Sequence, residues 1–224
     1  MKRWIVVILF AGLLGPAEAA AQGGLNLRIT PRAGVLTPAD WFYEEFRHFG
    51  IDPVEWTEAA VLRAPVLGLA GEVEIPGTGL WLRGEVLRTV DGITSMTHGV
   101  LFETNGFDPP RVERTPYRVA TAITMGSVDV AFPTLFRVGP VQPYVTAGVG
   151  AKHYSFDTDP FTEIQDQVVL PQSGAVAMVN AGAGATARVR GLTFDLQIRD
   201  ALSRYWDRVQ HDVLFLAGLT WQIR

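Results

Sequence analysis

Apolar and polar residues alternate with a period of two along most of the chain, which is typical of strands with one polar face. The last segment shows the pattern most clearly, since every second residue from Val213 to Ile223 is apolar. Segment 192–199 alternates in the same way and places Asp195 and Arg199 on its polar face. Eight such segments, each of about ten or more residues, are long enough to cross a bilayer as tilted strands.

Two segments interrupt the alternation. In 117–132 the apolar positions change parity near Gly126, and we predict a β-bulge there because one extra residue reverses the faces that follow it. In 141–156 the phase that Val145 sets is broken at Tyr154. The two faces of this segment are therefore ambiguous from the sequence.

The connections between segments differ systematically in length. Three are long (37–60, 90–116 and 157–173), whereas those at 76–79, 133–140 and 189–191 are short. Long loops at one end and tight turns at the other are typical of bacterial transmembrane barrels. We therefore predict an all-β fold, an eight-stranded antiparallel up-and-down transmembrane β-barrel, whose long loops carry any binding activity.

Two of the long connections contain further patterns. Thr37 to Asp40 is typical of a helix start, and we predict a helix over Trp41–Phe49 with its phenylalanines on one face. Gly99–Glu103 either extends the strands above the membrane or forms an extra hairpin.

The N-terminus has the features of a secretory signal peptide. Two basic residues precede an apolar run of 11 residues, which is too short to span a bilayer as a helix, and small residues follow. We predict cleavage after Ala21, with Ala19 as the second choice, so that residues 1–21 are the signal and 22–224 the barrel. The mature chain is therefore expected outside the inner membrane, in the bacterial outer membrane.

Composition excludes several classes of function. The chain has 224 residues, no cysteine and a net charge of -4 at pH 7. Thiolate metal sites, disulfides and cysteine nucleophiles are thereby excluded, and no basic surface indicates nucleic-acid binding. We predict neither a cofactor nor a metal.

Three motifs make the chain similar to the small outer-membrane β-barrel proteins, the OmpA/OmpX-like eight-stranded superfamily. They are the stretches 143–150 (PYVTAGVG) and 180–185 (NAGAGA) and the closing strand. Gly218, Trp221 and Ile223 resemble the signal that the outer-membrane insertion machinery recognises. The resemblance implies contact with the barrel-assembly machinery and with outer-membrane lipid and lipopolysaccharide, in a chain that we expect to be monomeric.

The polar faces converge on the barrel interior, where we predict a network of salt bridges. Eight strands leave an interior that is only wide enough for its own side chains, so we predict a plugged lumen, with a narrow pore as the alternative. Unpaired charges there would be costly, so opposite charges must meet. The predicted luminal residues are Arg28, Arg32, Glu72, Glu74, Arg83, Glu85, Arg188, Asp195 and Arg199, with Asp129 as an optional member.

No catalytic residues are predicted, and the expected role is structural or surface-interactive. The alternative is a lipid hydrolase, because His153-Tyr-Ser155 resembles the His-x-Ser element of outer-membrane lipid A deacylases. Both side chains would face outward by the parity of Val145. The family's carboxylate has no counterpart at the expected interval; Glu163 and Asp166 lie only nearby.

Two further interpretations of the sequence are a soluble barrel and a nucleotide-binding motif. A soluble periplasmic barrel that binds an apolar ligand would require the opposite parity, with Arg83 and Asp195 pointing to water outside. Gly182-Ala-Gly184 is similar to a dinucleotide-binding fingerprint, but a turn and another strand follow it instead of a helix. We predict instead that these small residues let the wall pack around bulky interior side chains.

Overall fold

A computed structural model describes residues 26–39, 42–47, 54–102, 111–161, 170–205 and 208–223, with the backbone alone at 42–47 and 54. The signal-peptide prediction lies outside the described residues. No helix in the described ranges is long and apolar enough to cross a bilayer. The strands are β1 (Leu27–Pro38), β2 (Phe42–Arg47), β3 (Val54–Val61), β4 (Ala64–Glu74), β5 (Trp81–Thr89), β6 (Gly92–Phe102), β7 (Arg111–Pro133), β8 (Val141–Asp157), β9 (Gly174–Val189), β10 (Leu192–Tyr205) and β11 (Arg208–Ile223), and a short 3-10 helix covers Asp159–Phe161.

Eight of the strands form a closed antiparallel ring in the order β1-β4-β5-β7-β8-β9-β10-β11. β11 returns to β1, with Leu27 opposite Ile223 at one end and Pro38 opposite Asp212 at the other. The predicted eight-stranded up-and-down barrel is confirmed. The tight turns at 75–80, 134–140 and 190–191 lie at the same end as the start of β1 and the end of β11, and we call this the turn end. The opposite end is the loop end.

The remaining strands lengthen one side of the barrel at the loop end. β2 pairs with β3, β3 pairs with β6, and β6 pairs with the first half of β7. We call these paired segments the sheet extension. The prediction of a helix over 41–49 is wrong, because the described part of that segment is β2, whose backbone pairs with β3.

The predicted loops at 37–60 and 90–116 are also largely strands, and Gly99 lies within β6. Of the two possibilities for Gly99–Glu103, strand extension is therefore correct as far as Phe102, the last described residue. The alternation is weak here. Glu58 and Ala60 share one face of β3, opposite the buried Thr57 and Ala59, so this face carries both a charged and an apolar residue. Outside a bilayer, a sheet face that contacts water need not be apolar, and the period of two becomes faint.

Apolar side chains cover the outside of the ring. In β10 the outward residues from Leu192 to Ile198 are 44–61% exposed, whereas Asp195 and Arg199 are at most 3% exposed. In β11 the outward apolar positions run from Val213 to Ile223, roughly 26 Å along the barrel axis given about 3.4 Å per residue and a tilt of about 40°. This height matches the apolar band of about 25 Å on transmembrane barrels. The soluble barrel is excluded, since it requires the opposite parity.

The predicted bulge near Gly126 is absent. β7 pairs with β8 in one unbroken register from Ala120 to Pro133, and the odd-numbered residues face inward throughout. The apolar parity changes because the lumen changes: Ile123 and Met125 lie inside near the loop end, and Asp129 lies inside near the turn end. The lumen therefore consists of two layers, one apolar and one charged.

Candidate functional site

The charged layer occupies the half of the lumen nearer the turn end and is centred on Arg199 and Arg32. Arg199 Nη2 lies 2.5 Å from Glu85 Oε2, and its Nη1 lies 3.3 Å from Asp129 Oδ2. Arg32 Nε lies 3.1 Å from Glu85 Oε1, and Arg32 also pairs with Asp195. Each carboxylate therefore bridges strands that are separated in the ring, and the layer fastens opposite walls of the barrel together.

Arg83 extends the charged layer toward the turn end. Its Nε donates to Glu72 Oε1 at 2.5 Å, and its Nη2 lies 3.7 Å from Asp195 Oδ2. Arg28 Nη1 lies 3.9 Å from Glu72 Oε2, while its guanidinium stacks 3.5 Å from the centre of the Trp81 ring. Arg28 and Trp81 thus close the cluster at the turn end.

Neutral polar groups complete the charged layer. Tyr144 Oη donates to Asp195 Oδ1 at 2.5 Å, and Ser127 Oγ donates to Asp129 Oδ2 at 2.9 Å. Gln197 accepts from Arg83 at 3.2 Å and donates to Thr146 Oγ1 at 3.0 Å. The cluster contains four guanidinium groups and four carboxylates (Arg28, Arg32, Arg83, Arg199, Glu72, Glu85, Asp129 and Asp195) and is neutral when all are ionised.

Inward-facing glycines make room for these side chains. A Cβ at Gly148 would lie 2.0 Å from Asp129 Oδ1, and one at Gly184 would lie 2.4 Å from Tyr144 Cζ. A Cβ at Gly182 would lie 3.1 Å from Arg199 Cβ. The sequence interpretation of Gly182 and Gly184 as a thin wall around bulky side chains therefore agrees with their positions.

The apolar layer fills the lumen toward the loop end. Its buried members include Leu36, Leu87, Ile123, Met125 and Leu214. The rings of Tyr154 and Tyr205 lie 4.7 Å apart at its upper side, with Phe156 close by. Tyr205 therefore belongs to the lumen and not to an outer aromatic girdle.

One ion pair lies at the same level as the apolar layer. Lys152, which is 0% exposed, places Nζ 2.5 Å from Asp212 Oδ2 and 2.9 Å from the Ala201 carbonyl oxygen. The sequence analysis did not single out Lys152. Even-numbered residues of β8, such as Tyr144 and Thr146, point inward. The alternation along this strand could therefore have identified Lys152.

The structure places the predicted luminal residues in two groups. Arg28, Arg32, Glu72, Arg83, Glu85, Asp195 and Arg199 lie in the charged layer. Glu74 and Arg188 do not join it. Glu74 accepts a hydrogen bond from Asn26 Nδ2 at 2.5 Å, and Arg188 is exposed. Both residues lie at the ends of their strands, where water reaches the side chains.

His153 and Ser155 both face outward on β8 and are exposed, as their parity suggested. Within the described residues they form no hydrogen bond with each other or with a carboxylate. A nucleophilic serine requires such a bond to its base and a group that orients the base. Glu163 and Asp166 lie outside the described residues.

The three residues of the suggested insertion signal take different positions. Trp221 and Ile223 face outward, 48% and 45% exposed. Gly218 faces inward, where a Cβ would lie 2.5 Å from Thr30 Cγ2. Their recognition by the insertion machinery remains a prediction.

A closed ring of eight antiparallel strands, apolar outside and ionised inside, defines a small transmembrane β-barrel of the bacterial outer-membrane type. This class follows from the strand order, the closed register and the position of each face.

No protein-family model matches the sequence, and no curated protein sequence matches it. The structure is similar to Neisserial surface protein A, with a TM-score of 0.46 and 11% identity over 88% of this chain and 96% of that one. The N-terminal β-barrel domain of Pseudomonas aeruginosa OprF gives 0.40 and 10% over 88% and 97%. Ail, the attachment invasion locus protein of Yersinia pestis, in complex with the heparin analogue sucrose octasulfate, gives 0.37 and 13% over 88% and 98%.

Proposed function

We propose that this protein is a closed, non-conducting outer-membrane barrel that presents a β-sheet platform at the cell surface. The observation that carries the proposal is the filled lumen: a neutral cluster of paired charges lies below an apolar layer. The interior of an eight-stranded barrel has about the volume that its own side chains fill, which favours a plugged lumen over a pore. An ion passing through the lumen would have to cross both the cluster of paired charges and the apolar layer.

Conductance across a planar lipid bilayer tests the closed lumen. We expect the refolded full-length mature chain to give no ion-conducting steps, and a regular single-channel conductance would contradict the proposal. Heat-modifiable gel migration of the same sample reports whether the barrel is folded. An open pore and a failed refolding are thereby distinguished.

The surface role is supported by the sheet extension, whose exposed Arg111 and Arg114 lie on the outer half of β7. This half of β7 pairs with β6 and continues the barrel wall beyond the ring. A rigid strand platform suits surface contacts better than a flexible loop, because its side chains are already ordered before a partner binds. We propose that this platform, and not an isolated loop, carries the surface interaction.

Cysteine labelling tests which end reaches the cell surface, and the chain is suited to it because it contains no cysteine. We expect Arg114→Cys to react with a membrane-impermeant maleimide on intact cells. The matched variant Arg137→Cys, at a tight turn, is expected to react only after the outer membrane is permeabilised. Equal labelling of both variants on intact cells would contradict the proposed orientation.

The assembly partners are part of the same proposal. The apolar belt implies contact with outer-membrane lipid and lipopolysaccharide, and insertion by the barrel-assembly machinery follows from the closing strand with Trp221 and Ile223. We propose a monomer, because the ring closes on itself through β1 and β11 and leaves no unpaired ring edge. Depletion of the assembly machinery should reduce the heat-modifiable form in membranes.

A further inference from the structure

A groove opens on the outer wall where the ring meets the sheet extension. It has a volume of about 790 Å³, and its lining includes Leu67, Arg88, Asp91, Ala122, Ser155 and Asp157. The groove lies where the chain bends between β5 and β6, at Asp91, whose φ is +51°. Its volume is in the range of small-molecule sites, about 300–1,000 Å³.

Arg88 is the cation of this groove, and it faces outward on β5 beside Leu67 on β4. Leu67 is 55% exposed, so Arg88 adjoins the apolar belt. Within the described ranges, Arg88 forms no ion pair and no hydrogen bond. Asp91, Asp157 and Asp159 line the same groove, but none of them lies within ion-pair distance of Arg88. A guanidinium left without such a pair at the edge of a bilayer favours an anion from the membrane itself.

The height of Arg88 suits a lipid headgroup. Arg88 is seven residues beyond Trp81, which corresponds to a rise of roughly 18 Å along the barrel axis from the start of β5. A long arginine side chain can extend from there toward the headgroup level, since the apolar band is about 25 Å tall.

The lining of the groove combines three kinds of side chain. Leu67 lies directly opposite Arg88, whereas Asp91, Ala122 and Asp157 lie further toward the loop end. The groove therefore offers an apolar surface, a cation and hydrogen-bond acceptors, which suit an acyl chain, a phosphate and sugar hydroxyls, since carboxylates accept hydrogen bonds from hydroxyl groups. We propose that the groove binds a phosphorylated glycolipid of the outer leaflet, with its phosphate at Arg88. This inference rests on the proposed function, because it requires the barrel to span the outer membrane.

Binding of lipid A to the refolded full-length mature chain in detergent micelles tests the inference. We expect Arg88→Gln to bind lipid A about tenfold more weakly, because a charge-assisted contact is lost. Lipid A from which the phosphates have been removed should bind to the unsubstituted chain as weakly. The matched control Arg137→Gln, an exposed arginine at the turn end, should bind lipid A like the unsubstituted chain.

A second variant tests the groove without changing its charge. Ala122→Phe should fill part of the groove and weaken lipid A binding severalfold while Arg88 remains. Unchanged binding by either Arg88→Gln or Ala122→Phe would overturn the proposal, as would equal affinity for the dephosphorylated lipid. Displacement of lipid A by millimolar inorganic phosphate would also overturn it, since the site would then hold a free anion.

The same samples separate this inference from the proposed function. Heat-modifiable migration of each variant shows whether the barrel has formed. A folded barrel that fails to discriminate between the two lipids refutes only the glycolipid site. Regular single-channel conductance, or labelling of Arg137→Cys on intact cells, refutes the proposed function whichever lipid binds.

Discussion

The two layers of the lumen fill the same barrel with different chemistry. Toward the turn end, Arg32, Arg83 and Arg199 share their carboxylate partners across several strands. Toward the loop end, side chains such as Leu214 and Met125 pack by shape, and Lys152 and Asp212 form an ion pair at that level.

The difference between the layers predicts different responses to substitution. In the charged layer most ions contact two opposite charges, so removing one ion leaves two others short of a partner in a dry environment. In the apolar layer the cost of a substitution depends on the cavity it creates. Urea unfolding of the barrel in lipid vesicles tests this difference. Heat-modifiable gel migration gives the folded fraction at each urea concentration.

The largest effect is expected from Arg199→Met. The substitution leaves Glu85 and Asp129 without this partner, and we expect the free energy of unfolding to fall by about 3–5 kcal/mol. Adding Glu85→Leu should lower it further, because Arg32 then loses a partner as well. Arg188→Met, at an exposed arginine, is the control and should change it by no more than about 0.5 kcal/mol. A full recovery in the double variant would show that the layer is made of independent pairs.

A smaller loss is expected from Leu214→Ala in the apolar layer. Leu214 is 0% exposed, and its truncation should cost about 2–5 kcal/mol, near the lower end if the neighbours relax into the cavity. Leu196→Ala removes the same atoms from an outward position that is 61% exposed. Equal losses in the two variants would contradict the assignment of inside and outside.

Gly184→Ala tests the thin wall beside the charged layer. The added methyl would lie 2.4 Å from Tyr144 Cζ, and we expect a loss of about 1–3 kcal/mol from overpacking. Gly126→Ala is the matched control, because a Cβ there meets nothing within 4 Å. If Gly126→Ala is the more damaging variant, the wall is not limited by luminal side chains.

The smallest net effect is expected when Lys152→Met and Asp212→Leu are combined. Each single variant should destabilise the barrel, because the remaining charge stays buried after its ion-pair partner has been removed. The double variant should lie within about 1 kcal/mol of the unsubstituted chain, because apolar replacements suit the surrounding layer. A double variant worse than either single one would show that this pair is coupled like the charged layer.

The sequence predicted the strands of the ring well and the regions around them poorly. Asp195 and Arg199 are buried in the structure, and the sequence pointed to the interior because lipid strongly disfavours charge on the other face. The same reasoning failed at Gly126, where a bulge was predicted, since Ile123 and Met125 are apolar and yet face inward. The alternation of polar and apolar residues reports only the polarity of the surroundings of each face. An apolar lumen therefore cannot be distinguished from lipid in the sequence.

The charged residues were easier to locate than to pair. The polar parity indicated that Arg83 and Glu72 face inward, but Glu74 and Arg188 share that parity and lie outside the charged layer. Glu74 and Arg188 lie at strand ends, but Arg28 is equally close to the end of β1 and still reaches Glu72, so position along the strand does not decide which charges meet. Phe42–Arg47 was assigned to a helix because local spacing alone does not reveal the partner strand β3.

The sequence by itself determined the class of fold and the outward face of those ring strands whose inner face is polar, because a bilayer imposes one rule on every residue that touches it. Only the tertiary structure decided which charges meet, that the lumen has two layers, and that Arg88 borders a groove. Those features depend on the register between strands distant in the chain, and the side chains on a single strand carry no record of that register.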